Sequence, residues 1–199
     1  IACQHVGLEL GSPDNHIEVL WSADSCRNWN NQGSIHGAAP ANDGWAYRGP
    51  DIQEGPNGRL IMTATRFEVG AGQLFDPDSE GLQRPEMILM WSDDGGRIWS
   101  QPQIVPVDLP PEKYTWNKAG DLIQLAPDRW MYPLETWKPE GYAGLPDQKA
   151  AAVFSTDQGE TWGEFTVVAD DPTGRRLWWD QMNTRLPDGR IYTMLWTHF

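Results

Sequence analysis

Twelve tryptophans against five tyrosines and five phenylalanines are the main supply of chemistry in these 199 residues. Indole rings either fill a β core or stack on sugar rings. Other reactive patterns are missing. His5, His16, His36 and His198 show neither His-x-x-x-His nor carboxylate-flanked spacing, so no metal site is indicated. No Gly-rich phosphate loop and no Gly-x-Ser-x-Gly nucleophile elbow occurs, and no cofactor is implied. Cys3 and Cys26 allow at most one disulfide and leave the compartment open.

Composition narrows the partners. Asp and Glu number 28 against 15 Lys and Arg, a formal net charge of -13, which repels nucleic-acid phosphates and anionic membrane surfaces. No uncharged apolar run reaches the length of about 18 residues that a spanning helix needs. The first residues, Ile1 to His5, carry neither a basic leader nor an apolar stretch, so neither a membrane span nor a targeting peptide is expected. With 39% hydrophobic residues the chain can build a core.

The elements that must position any site come from an internal repeat. Trp21 to Trp29, Trp91 to Trp99 and Phe154 to Trp162 each fit aromatic-Ser-x-Asp-x-(Gly)-x-x-Trp, with Ser22, Ser92 and Ser155 70 and 63 residues apart. A second element interleaves with it at Pro56-Asn57-Gly58, Pro127-Asp128 and Pro187-Asp188-Gly189, with Asn57, Asp128 and Asp188 71 and 60 residues apart. Proline before residues that tolerate positive φ, flanked by strand formers such as Leu60-Ile61-Met62, reads as a hairpin turn. In the other motif the Ser hydroxyl and Asp carboxylate can bind backbone N–H groups, the Gly takes the left-handed conformation and the Trp packs beneath. Cys26 replaces that Gly in the first copy, which is expected to be the most irregular. One period therefore holds two hairpins with almost no helical periodicity. The expected fold is all-β, a β-propeller of four-stranded blades.

The Ser-x-Asp-x-Gly-x-x-Trp element resembles the Asp box, or BNR repeat, of the sialidase (neuraminidase) superfamily. That resemblance implies a six-bladed propeller, with Asp24, Asp94 and Asp157 structural rather than catalytic. Tyr47-Arg48-Gly49-Pro50 is similar to a family stretch opening with Arg-Ile-Pro, with Gly49 in place of the Ile. Arg48 then takes the place of the first of three arginines that grip a sugar carboxylate, and Arg66 that of a neighbouring active-site arginine. A guanidinium suits this task because it binds a carboxylate in bidentate fashion. The loop from Glu68 to Arg84 occupies the place of the family's acid/base Asp, which implies Asp76 or Asp78 for that role.

Further on, Gly120 to Leu125, Met131-Tyr132-Pro133 and Val153 to Ser155 also resemble the family, and Glu135, Trp137 and Tyr142 are expected on a long loop bordering a sugar site. Asp180 falls where the family has the Glu that activates a tyrosine nucleophile, one methylene longer. Trp196 stands where the second arginine would be, which suits a neutral sugar face or another uronate geometry.

The resemblance implies an exo-acting glycoside hydrolase working on a terminal acidic sugar of a glycan, in a secreted or periplasmic protein. Two rival expectations are a carbohydrate-binding propeller without catalysis and a polysaccharide lyase, which would need a Tyr/His pair near a uronate-binding Arg. At about 65 residues per blade the chain supplies three blade equivalents: an outer hairpin over 1–40, full blades over 41–108 and 109–170, and an inner hairpin over 171–199. The chain is thus expected to be near half of a ring, with the third arginine and the tyrosine beyond Phe199. Alternatively, two copies complete each other's split blades as a homodimer, because unpaired edges invite pairing.

Overall fold

A computed structural model describes residues 1–7, 11–35, 44–70 and 74–199; His36 and the expected 40/41 boundary lie outside them. Among these described residues sixteen strands follow in order. The first are β1 (Ala2–Val6), β2 (His16–Trp21), β3 (Asn30–Ser34), β4 (Trp45–Glu54), β5 (Leu60–Glu68), β6 (Phe75–Asp76), β7 (Gly81–Leu82) and β8 (Glu86–Ser92). Then come β9 (Gln103–Ile104), β10 (Thr115–Lys118), β11 (Ile123–Gln124), β12 (Trp130–Trp137), β13 (Ala150–Ser155), β14 (Gly163–Ala169), β15 (Leu177–Arg185) and β16 (Ile191–His198). The described residues contain no α-helix.

The chain divides into two compact units. Unit 1 comprises Ile1–Gly72 and Met87–Ile104 and holds the sheet β1-β2-β3 and the sheet β4-β5-β8-β9. Alternate residues point to opposite faces of a strand, and here Ile17, Val19, Tyr47, Met62, Ala64, Ile88, Met90 and Trp99 meet in one core. Unit 2 comprises Gln73–Glu86 and Val105–Phe199. Its largest sheet runs β10-β12-β13-β14 with β11 also on β12, and beside it lie the hairpins β6-β7 and β15-β16.

Strand β12 is the spine of unit 2: Trp130 through Thr136 are all buried. Its Pro133 cannot donate to a ladder, and it sits where none is needed. The partner on that side passes from β10, ending at Lys118↔Leu134, to β11, starting at Ile123↔Met131.

Both turn motifs form as local chemistry dictates. Asn57 and Gly58 take φ of 62° and 76° in the turn joining β4 to β5, and Leu186 and Arg190 close the turn of β15-β16 through a 2.8 Å bond. In the Ser-x-Asp turns the Ser hydroxyl donates to the Asp at 2.8 Å in all three copies. The same hydroxyl accepts the N–H four residues on, from Cys26, Gly96 and Gly159. The first copy matches the others in these bonds but not in its closing ring. Cys26 adopts φ 66° where Gly96 and Gly159 take 86° and 88°, because these bonds fix the turn and the missing glycine adds only local strain. The difference lies in the closing ring: Trp99 and Trp162 donate to the carbonyls of Gly96 and Gly159, whereas Trp29 is 41% exposed. Replacing Ser155 by Ala strands the Gly159 N–H in a buried turn and is expected to cost about 1–2 kcal/mol, measured by chemical denaturation.

Candidate functional site

Period two along β12 puts Glu135 and Trp137 on one face, and the cross-strand pair Asn117↔Glu135 adds an amide beside them. Glu135 Oε1 accepts the Trp137 indole N–H at 2.9 Å and the Asn117 amide at 3.5 Å. Its Oε2 accepts the backbone N–H of Asp180 at 3.0 Å. The side chain is buried, and burial pushes its pKa up. The three hydrogen bonds oppose that shift and the Asp180 charge adds to it. A carboxyl raised in this way holds its proton further toward neutral pH, the property of a proton donor.

Aromatic rings surround it. Trp137 and Trp179 stack with centroids 5.8 Å apart, and His198 stacks with Trp179 at 5.4 Å. Trp196, directly opposite Trp179 in the β15-β16 ladder, meets it edge-on at 5.9 Å and is 64% exposed. Phe75 meets Trp137 edge-on at 6.1 Å. Trp179 thus meets three rings, and Trp196 is the exposed tryptophan of the cluster.

Phe75 arrives on the β6-β7 hairpin, which docks on the segment after β12. Leu82 N–H donates to the Lys138 carbonyl at 2.8 Å, and Gly81 lies so near Glu140 that an added Cβ would stand 2.6 Å from its Cα. Asp76 accepts Ser79 Oγ at 2.5 Å and the Asp78 N–H at 3.0 Å. Those bonds hold Asp76 below the usual carboxylate range and so ionised, while Asp78 is exposed.

Of the residues expected from sequence, Asp76, Asp78, Trp137, Asp180 and Trp196 lie in unit 2. Phe75 beside Asp76 contacts Trp137, and Asp180 reaches Glu135. Arg48 and Arg66 lie in unit 1. Arg48 borders a bulge in β4 where Gly49 takes φ 57°, a conformation that the family's Ile would adopt only under strain. Arg66 holds its guanidinium 4.1 Å from the Trp45 ring centroid. One expectation needs correcting. Glu135 and Trp137 are not on a loop but in strand β12, because its hydrogen-bonded register runs on to Thr115↔Trp137; only Tyr142 lies beyond the strand. Asn117, Trp179 and His198 were not expected at all. The signal available for them was the alternation Glu135-Thr136-Trp137, whose partners become visible only through strand register.

At the same end of β12 a charge network steadies the sheet. Asp147 accepts bonds from Lys149, Tyr114 and Lys113, and Lys149 also pairs with Asp170 at 2.8 Å. Partial burial alone would raise the pKa of Asp147, but these bonds outweigh it and bring it down to about 2. A depressed carboxylate contributes stability that is present above its ordinary value of 3.8 and lost as pH falls toward 2. Asp147→Asn is therefore expected to destabilise the protein by about 1 kcal/mol at pH 7, discounted for solvent screening. Urea denaturation across pH should show the difference vanishing near pH 2.

Among the described residues no group of three or more His, Cys, Asp or Glu is arranged to hold a metal ion. No protein-family model and no curated protein sequence matches the chain. Solved structures do. A protein of unknown function from Dyadobacter fermentans matches at TM-score 0.67 and 17% identity, over 97% of this chain and 54% of that one. An α-L-arabinanase of Penicillium chrysogenum complexed with arabinobiose matches at 0.62 and 16%, over 92% and 49%. A GH93 α-L-arabinofuranosidase of Fusarium graminearum, also with arabinobiose, matches at 0.61 and 14%, over 90% and 48%. At these identities the likeness shows the fold alone, which is all-β and propeller-like. The chain spans about half the length of each structure.

Proposed function

We propose that this chain carries part of a glycoside hydrolase site acting at the end of a glycan, with Glu135 as the proton donor. The observation that carries the reading is the buried Glu135 carboxyl, hydrogen-bonded by Trp137, Asn117 and the Asp180 N–H, beside the exposed Asp180 carboxylate and the exposed Trp196 ring. Protein likeness supports it as well, since two of the similar structures hold arabinobiose.

In this mechanism Glu135 gives its proton to the glycosidic oxygen as the bond to the anomeric carbon breaks. Water adds to that carbon and yields its proton to Asp180, from which it passes back to Glu135. Trp196 and the edge of Trp137 hold the sugar's apolar face. Asp76, held ionised, stabilises positive charge building on the ring rather than donating a proton, and Asp78 shapes the turn that presents it through its N–H.

A neutral terminal sugar suits a cluster whose acidic groups, Glu135 and Asp180, are placed for proton transfer. The sialidase-like variant is the second reading, with Arg48 and Arg66 on a sugar carboxylate. It is favoured by the three Ser-x-Asp turns, in each of which the Ser hydroxyl donates to the Asp, and by the guanidinium of Arg66 lying over Trp45. Under either reading the segments 1–40, 41–108, 109–170 and 171–199 are parts of a six-bladed ring of four-stranded blades. The ring is completed by further chain or by a second copy; a monomeric mass in light scattering speaks against the second copy.

Fluorogenic aryl α-L-arabinofuranoside and aryl sialoside, assayed side by side, separate the two hydrolase readings. Release from the arabinoside supports the first and release from the sialoside the second. Oligosaccharide binding without turnover leaves a binding module, and a rise in ultraviolet absorbance on a uronate-containing polysaccharide indicates a lyase.

A further inference from the structure

Strand β15 breaks register between Trp179 and Met182, and within that break Asp180 takes φ 47°, the left-handed region that a non-glycine residue occupies only under strain. The surroundings are shaped to hold the bulge. Gly120, itself at φ 69°, lies against Gln181 so closely that a Cβ there would stand 2.2 Å from the Gln181 carbonyl oxygen. Gln181 is fully buried, with its amide toward the Ala151 carbonyl at 3.4 Å. Asn183 donates to the Gln181 carbonyl at 3.5 Å and is fixed by Thr193 at 2.7 Å. Gly120 belongs to the link between β10 and β11, the gap that Pro133 leaves open on β12. A bulge frees one N–H from the ladder and re-aims it. Here the freed N–H is that of Asp180, and it donates to Glu135 Oε2 at 3.0 Å, from 45 positions along the chain.

We propose that the Asp180 bulge, seated on Gly120, positions the Glu135 carboxyl through its backbone N–H, making Asp180 and Gly120 positioning residues in addition to any role of the Asp180 side chain. The inference rests on the proposed role of Glu135. With Trp137 on Oε1 and the bulge on Oε2, both oxygens are held, which fixes the plane of the carboxyl and the direction in which its proton leaves. The backbone N–H cannot titrate, so the hold persists in both protonation states. Because a donor favours the charged form while the neighbouring Asp180 charge disfavours it, backbone and side chain of one residue pull Glu135 in opposite directions.

That opposition gives the test. In ¹H–¹⁵N spectra of the wild-type protein, the Trp137 indole and the Asp180 amide should shift with pH along one common curve, the titration of Glu135. Asp180→Asn keeps the N–H and removes the charge, so the midpoint should move down. Gly120→Ala pushes the bulge away, so the midpoint should move up, the Asp180 amide should leave the common curve, and kcat/KM on the aryl arabinoside should fall about tenfold to a hundredfold. A purely structural role for Gly120 would lower thermal stability without moving the midpoint, and that result overturns the proposal. So does independent titration of the two wild-type resonances, a measurement that stands even where Gly120→Ala does not fold. Common titration without turnover of any glycoside supports the positioning and removes the hydrolase reading instead.

Discussion

Glu135→Gln is expected to lower kcat on a cleaved glycoside by about 10²–10⁴-fold while leaving sugar affinity almost unchanged. The amide has nearly the size of the carboxyl and keeps one acceptor for the Trp137 indole or the Asp180 N–H, so the aromatic surroundings persist. What it lacks is a proton to transfer. An interaction needed only as the bond breaks lowers kcat and kcat/KM together, and steady-state kinetics separates this from a binding loss, which would raise KM alone. Stability should respond as well. Burial raises Glu135 above its ordinary value of 4.5, so its contribution to stability is full below that value and is lost as pH rises through the folded value. Wild type should therefore lose ground to Glu135→Gln as pH rises from about 4.5. Denaturation midpoints of the two proteins should diverge in that direction only.

The largest loss of stability is expected from Trp130→Ala, about 3–5 kcal/mol. Trp130 is 1% exposed at the start of β12, where it pairs with Gln124 on one side and Ser155 on the other. Removing the indole leaves a cavity on the face of a sheet whose backbones are pinned by their ladders and cannot collapse into it. Because β12 carries Glu135 and Trp137 at its far end, activity should fall with stability. Thermal unfolding followed by circular dichroism reads the first effect and turnover at low temperature the second.

What could be read from the residues in advance follows the range of the interactions involved. The Ser-x-Asp turns were legible because every bond in them spans four residues or fewer, from Ser92 to Gly96 for example. The Pro-Asn-Gly and Pro-Asp-Gly turns were legible because few residues other than Gly and Asn accept the backbone they require. The site was legible only in pieces. Asp180 stood out by its neighbours in sequence, but its hydrogen bond to Glu135 crosses 45 positions and arises from a bulge that no local pattern announces. Glu135 was placed with Trp137 and Tyr142 on a long loop following the Met131-Tyr132-Pro133 step. In the fold it lies on β12, between β10 and β13, where Asn117 and the Trp137 indole satisfy it. The stack of Trp137, Trp179 and His198 likewise joins residues 42 and 19 positions apart, brought together by the packing of β12 against β15 and by the β15-β16 ladder.

The central claim, that sugar binds where Glu135 meets the aromatic cluster of unit 2, is tested most directly by titrating the ¹⁵N-labelled protein with arabinobiose and following its twelve indole N–H signals. The account predicts shifts at Trp196, Trp137 and Trp179, with Trp21, Trp29 and Trp99 unmoved. Shifts confined to the tryptophans of unit 1, or none at saturating sugar, would contradict it.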